Sequence, residues 1–268
     1  MEFASTIGVT SLFHYCRFDV TYFEDLLAND RIYMSDTANF NDPWDCRPCF
    51  DSSRIGDPDY ADRLVERFYQ SARRQTPHIP EAFHRARAAE LRASEDALRA
   101  AIDKMSDMEL EIVKRYRVFC LTTKPTNILM WSHYAENHKG VCIEFSCDNF
   151  VFSGAYKVEY ADRYPIYDFT DDTDDRILLP LISKSQSWAY EDEYRLIAQE
   201  RSVALAYSLM TDNNYLALPK GSIRSVILGC SAPDDIKAAV ADIVARYKSG
   251  VVTRSLRRVP NVYELAFS

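Results

Sequence analysis

One change of period constrains the fold of this chain more than any other feature. From Pro58 to Tyr116 the apolar residues recur at helical spacing, with Leu64, Phe68 and Ala72 four apart. An Ala-rich helical stretch continues over Glu81–Lys114, beyond breaks at Pro77 and Pro80. On either side the apolar runs are short and strand-like. Upstream are Leu12–Cys16 and Arg31–Ser35, separated by a helical pattern over Val20–Asn29 that Asp19 or Thr21 can cap. Downstream, strands are predicted at Arg117–Thr122, Gly140–Phe145, Tyr156–Tyr160, Glu193–Ala198, Ser225–Gly229, Val251–Ser255 and Val262–Phe267. Helices are predicted at Thr126–Glu136, capped by Thr126, and at Pro233–Lys248. Clustered helices and irregularly connected strands predict an α+β fold with mixed or antiparallel central sheets, not a regularly wound parallel one. The expected organisation is a single domain, 1–268, with a helical insertion at about 54–116 that serves either as a lid or partner surface or as a packing layer.

Composition narrows the function classes. A chain of 268 residues can bury a substantial core. The 17 Tyr, 14 Phe and 3 Trp favour strands and aromatic-walled clefts, and only 7 Gly argues against a glycine-rich phosphate loop. No GxGxxG, GxxxxGK[ST] or GxSxG motif is present. A net charge of −8 argues against a broad basic surface for nucleic acid, although arginines gather between Arg54 and Arg117 and acidic residues between Asp168 and Asp175. No apolar run is long enough to span a bilayer, and the first fifteen residues lack the basic and apolar regions of a signal peptide, so a cytoplasmic protein without a membrane partner is expected. The seven cysteines include one CxxC, Cys46 to Cys49, without a second to complete a zinc site; the thiols are expected to be small buried hydrophobes and no metal centre is expected.

Three polar segments concentrate the candidate chemistry. Asn41-Asp-Pro-Trp-Asp45 is a turn rich in acceptors, suited to capping backbone amides or, with Tyr33 and Ser35 at the end of the strand before it, to meeting a ligand. In Trp131–Gly140, Trp131 and Tyr134 share a helix face, with His133 opposite and His138 near the helix end. These side chains form either a wall for a planar ligand or core aromatics with a histidine at the helix dipole. In Glu191–Arg195, an extended backbone places Glu191, Glu193 and Arg195 on one face. They form either a structural ion pair or a working carboxylate held by an arginine.

These segments carry a resemblance. Phe13-His-Tyr15, Phe40-Asn-Asp-Pro-Trp-Asp45, Trp131-Ser-His-Tyr-Ala with His138-Lys-Gly-Val-Cys142, Trp188 with Glu191-Asp-Glu-Tyr-Arg195, and Val226-Ile-Leu-Gly229 together resemble a widespread bacterial family catalogued only as a domain of unknown function. The resemblance runs from about residue 12 to 267, interrupted at the helical stretch. The order of elements is similar, in turn, to that of ADP-ribosyltransferases, including bacterial toxins that modify nucleic acid. That similarity implies NAD as co-substrate. It implies a first strand anchoring NAD through His14 or Arg17, with Tyr15 beside it. A second strand would contribute Tyr33 or Ser35, and a later one the catalytic Glu193, with Glu191 positioning the acceptor. Asn41, Asp42, Trp131, His133, Tyr134, His138 and Arg195 complete the expected NAD-binding set. The expected function is transfer of ADP-ribose to a nucleic-acid or protein acceptor, as in a toxin or phage-defence effector, with an antitoxin-like partner. The alternatives are a non-enzymatic module that binds a nucleotide or peptide, and a metal-dependent nuclease using Asp42, Asp45, Glu191 and Glu193.

Overall fold

The structure, a computed structural model, describes residues 1–50, 52–170, 178–200 and 209–268. The architecture is α+β, and the chain divides into two compact units. The first comprises Met1–Asn41, Arg115–Tyr160 and Lys184–Ser268; the second comprises Asp42–Lys114 and Ala161–Ser183.

The first unit is built on a mixed ten-stranded sheet. Its main strands, in chain order, are β1 (Ser11–Cys16), β2 (Tyr116–Thr122), β3 (Val141–Ser146), β4 (Glu193–Glu200), β5 (Leu209–Thr211), β6 (Ile223–Leu228), β7 (Val252–Arg258) and β8 (Leu265–Phe267). They lie side by side in the order β5-β4-β2-β1-β3-β6-β7-β8. All neighbours are antiparallel except β4 with β5 and β6 with β7. Phe13, Thr122 and Glu193 align across β1, β2 and β4, and Arg195 aligns with Cys120. Because directly paired residues share a face and successive residues alternate, Glu193, Arg195, Cys120, Thr122, Phe13 and Tyr15 occupy one face, and His14 and Leu121 the other.

The face that carries His14 is the larger core. Helix α1 (Val20–Asn29) buries Phe23, Leu26 and Leu27 there, and its first turn is closed by the Asp19 carboxylate accepting from the Tyr22 amide. Leu12, Ile143, Phe145, Phe152, Leu196 and Val226 fill the same core, with Phe145 and Phe152 stacked at 4.5 Å. On the opposite face a smaller cluster of Tyr15, Met130, Trp131, Ala135, Cys142 and Ile227 forms beneath the short helix Ile128–Tyr134.

The second unit holds the helices of the predicted insertion: α2 (Pro58–Gln75), α3 (Glu81–Ala93) and α4 (Glu95–Val113). Tyr60, Leu64, Leu91, Leu98, Ile102 and Phe169 form its core. The Ala-rich stretch, read from sequence as continuous, is divided at Ser94. That residue turns extended, and its hydroxyl accepts from the Ala97 amide, so one side chain ends α3 and starts α4.

Other boundaries differ for similarly local reasons. The helix Ile128–Tyr134, here α5, is capped by Asn127, not Thr126: the Asn127 amide oxygen accepts from the amides of Leu129 and Met130. It ends at Tyr134, short of the predicted Glu136. Arg31–Ser35 is divided into Arg31–Tyr33, which pairs with Tyr215–Ala217, and Ser35–Asp36, which pairs with β2. The final helix, α6, covers Asp234–Tyr247. Residues 171–175 of the acidic run lie outside the described residues. No described helix is long and apolar enough to cross a membrane.

Candidate functional site

The segment Gln186–Glu191 forms a 3-10 turn, and Asp192 closes it in the left-handed region at φ 45°. Only then does β4 begin, at Glu193. The expectation of an extended Glu191–Arg195 therefore holds for Glu193 and Arg195 but not for Glu191, which arrives from the turn. Its main-chain carbonyl accepts from Thr122 Oγ1 at 2.5 Å, tying the turn to β2.

The two carboxylates nevertheless meet at one cation. Lys184 Nζ donates to Glu191 Oε2 at 2.6 Å and to Glu193 Oε2 at 2.9 Å. Arg195 Nε donates to Glu193 Oε1 at 2.7 Å, and Nη2 to Oε2 at 3.0 Å, the two-pronged geometry that suits guanidinium to carboxylate. Glu191 Oε1 accepts from the Tyr134 hydroxyl at 2.7 Å, and the Tyr160 hydroxyl accepts from the Glu193 amide at 2.8 Å. Glu191 is 2% exposed, Glu193 3% and Arg195 0%. Among the described residues, two acids and two cations thus share a buried site.

Burial is expensive for such ions, and it acts differently on the two acids. Burial pushes Glu193 up, but the Arg195 guanidinium and the Lys184 ammonium outweigh it and hold Glu193 down at about 2. At Glu191 burial dominates, Lys184 only partly offsets it, and the Glu193 charge adds to the rise; its carboxyl titrates above the usual range. Neighbouring acids are therefore driven in opposite directions.

Aromatic side chains gather around Lys184 and Tyr134, the two groups that contact the Glu191 carboxyl. Lys184 Nζ lies 5.1 Å from the Trp188 ring centre, Trp188 and Tyr190 are 6.0 Å apart, and His133 lies 6.2 Å from Tyr134 and 6.5 Å from Tyr190. Tyr134, Trp188 and Tyr190 are half-buried and His133 is exposed. Lys184, Tyr160, Trp188 and Tyr190 are the members that sequence reasoning missed. Trp188 and Tyr190 lie three residues and one residue before Glu191, and that proximity in sequence was the available signal.

The remaining expected site residues are distributed more widely. Trp131 is fully buried, its indole donating to the Pro125 carbonyl at 2.9 Å, and it packs edge-on to Tyr15 at 5.1 Å. The Tyr15 hydroxyl donates to the Lys124 carbonyl. Both are core groups on the face that carries Glu193. His14 is on the other face, stacked on Phe119 at 4.1 Å with Nδ1 2.8 Å from the Cys120 carbonyl oxygen, and burial lowers its pKa to about 4. Its side chain is thus separated by the sheet from the carboxylates it was expected to join. Arg17 is exposed just beyond β1. Tyr33 lies edge-on to Tyr215 at 5.5 Å, its hydroxyl accepting from Asn214 at 3.2 Å. Ser35 pairs with Val118. Asn41 is exposed, whereas Asp42 belongs to the second unit and caps the Trp44 amide at 2.9 Å. His138 makes its side-chain contact with Cys230 instead. Among the described residues, no group of three or more His, Cys, Asp or Glu could hold a metal ion.

Residues 130–196 match the family described as Protein of unknown function (DUF2971). The matching segment includes Tyr134, Tyr160, Lys184, Glu191, Glu193 and Arg195. No curated protein and no solved structure matches the chain.

Proposed function

We propose that the protein is a glycosyl-transfer enzyme of the ADP-ribosyltransferase kind, with NAD as substrate and Glu191 and Glu193 as its working pair of acids. The observation that supports this most is the opposed behaviour of the two carboxyls at one lysine. Departure of nicotinamide leaves positive charge on the ribose, which an ionised carboxylate stabilises, while the acceptor must lose a proton to a base. A carboxylate held ionised beside one with raised proton affinity divides those tasks, as in other enzymes that use paired acids. The half-buried rings of Tyr134, Trp188 and Tyr190 suit stacking against a planar nicotinamide or adenine. Glu193 opens β4, one strand removed from β1, with Glu191 on the turn just before it, which fits the strand order that the resemblance implies; on that face β1 presents Phe13 and Tyr15 and not His14. The acceptor, on this reading, is a nucleic acid or a protein.

One observation favours a second reading, a binding module without catalysis. Both oxygens of Glu193 are already engaged by Arg195 and Lys184, as they would be in a purely structural network.

Nicotinamide release separates the two. Wild type, Glu191→Gln and Glu193→Gln are incubated with NAD, alone and with RNA, DNA or cell lysate, at a temperature where all three are folded. Release by wild type that falls in both variants, with label on one acceptor class, is the expected result. No release with any acceptor, and no rise in melting temperature with NAD, overturns the enzymatic reading in favour of the module.

A further inference from the structure

Far along the sheet from the acids, β6 ends at Leu228 and is followed by Gly229-Cys230-Ser231. His138 meets this turn in an unusual backbone. Glu136, Asn137 and His138 are consecutive residues with positive φ, at 50°, 55° and 67°, a conformation that costs free energy for each side chain bearing a Cβ. The segment is held there from both sides. The His138 amide donates to the Trp131 carbonyl at 3.0 Å, and the His138 carbonyl accepts from the Ser231 amide at 3.0 Å. Gly229 is required for the approach, because a Cβ on it would stand 2.1 Å from the His138 carbonyl oxygen.

The consequence of this arrangement is a pair of side chains. Cys230 Sγ lies 3.8 Å from His138 Nδ1, within reach of a thiol–imidazole hydrogen bond. Both side chains are half-buried and both line a cavity of about 900 Å³. Ile128, Val262 and Leu265 give that cavity apolar walls, and Arg258 and Glu264 supply its charge. Burial works against most other thiols of the chain. Burial pushes Cys16 up to about 12 and Cys147 to about 11, and raises Cys120 and Cys142 as well, while Cys46 is 1% exposed. Thiols so placed are poor nucleophiles.

The geometry points to Cys230 and His138 as a nucleophilic pair that adds to small α,β-unsaturated carbonyl compounds entering this cavity. With the imidazole proton on Nε2, Nδ1 accepts the proton of the thiol. Sγ then forms a bond to the β-carbon as the carbon–carbon π bond breaks. The electron pair moves to the α-carbon, which takes the proton back from the imidazolium. Nothing leaves, and no oxidant or reductant is needed. Burial lowers the His138 pKa, so the ring is neutral and able to accept a proton near pH 7. The Arg258 guanidinium is the cation available to the carbonyl oxygen as charge develops on it.

N-Ethylmaleimide, an activated alkene of this class, is the probe. The full chain is treated with limiting reagent, and each of the seven cysteines is followed by peptide mass spectrometry in wild type, Cys230→Ser and His138→Asn. Asparagine tolerates the left-handed backbone at 138 but provides no comparable base. The expected result is that Cys230 is labelled first, ahead of Cys49. In His138→Asn its rate falls about tenfold or more, while Cys49 is unchanged. Labelling of Cys230 no faster than Cys49 in wild type overturns the proposal whether or not the variant folds. An unchanged Cys230 rate in a folded His138→Asn overturns it also.

Discussion

Replacement of Glu193 by Gln removes one negative charge from a site that encloses two cations, and the structure sets the size of the effect. A carboxyl held at about 2 instead of 4.5 stabilises the folded, charged state by roughly 3 kcal/mol. Removing one partner from a buried pair costs about 3–5 kcal/mol, which agrees. Some of that is recovered. Glu191 loses a like-charged neighbour, becomes easier to ionise and remains bound to Lys184 at 2.6 Å. The net expectation is about 3 kcal/mol at pH 7, or a fall in melting temperature of about 6–12 °C for a protein near this size.

The same reasoning fixes the pH dependence. A depressed carboxyl contributes its full stabilisation above its unfolded value, near 4.5, and loses it as the pH falls toward 2. Wild type therefore loses roughly 3 kcal/mol over that window from this group, the variant does not, and the two converge in acid. Urea denaturation at pH 7 and in acid measures this, followed by tryptophan fluorescence, since Trp131 and Trp188 lie in the same unit as the cluster. A difference below about 0.5 kcal/mol at pH 7, the size expected of an ordinary surface substitution, would refute the placement of Glu193 between Arg195 and Lys184.

Tyr134→Phe deletes the hydroxyl that donates to Glu191 at 2.7 Å, a bond to a charged group that should cost about 1.5–3 kcal/mol. Here the sign is opposite to that of Glu193. The raised Glu191 carboxyl favours folding at low pH and opposes it as the pH rises, and losing a donor strengthens that trend; melting temperatures at pH 5 and pH 8 should show a deficit that grows with pH. Gly229→Ala forces a methyl to within 2.1 Å of a main-chain oxygen and 3.0 Å of the Trp131 ring, so it should cost at least about 1–3 kcal/mol; an unchanged melting temperature would refute the close approach.

What the sequence conveyed about this fold depended on how local each determinant is. Val20–Asn29 was legible because Asp19, Phe23, Leu26 and Leu27 combine a cap with a helical period. β1, β2 and β3 were legible as short apolar runs. The division at Ser94 and the cap at Asn127 were not, since each turns on which of several adjacent polar side chains takes the backbone amides. For the site, Glu193 and Arg195 followed from strand alternation. Glu191 did not, because Asp192 adopts φ 45° and breaks the alternation. Lys184 was invisible for another reason: its role comes from a chain reversal that brings residue 184 back over 191 and 193, which no spacing rule encodes. His14 shows the converse failure, since one residue of difference along β1 decides which face of the sheet a side chain meets.

Four buried charges are an inefficient way to hold the end of a strand. Apolar side chains of the same volume would fill the space without the several kcal/mol per ion that desolvation costs, and replacing such networks by hydrophobic residues is often neutral or stabilising. The charged arrangement supplies something an apolar one does not. Lys184 lies between two carboxylates whose surroundings differ: Glu193 also has Arg195, whereas Glu191 has only a neutral tyrosine hydroxyl beside it. The shared cation binds both, and the unshared one separates their proton affinities. Removing Arg195 from this scheme would take from Glu193 the cation that Glu191 lacks, and removing Lys184 would push the Glu191 carboxyl further up. Each cation therefore has a distinct consequence for the acids, and on the proposed reading that difference is what lets one acid stay ionised while the other exchanges a proton.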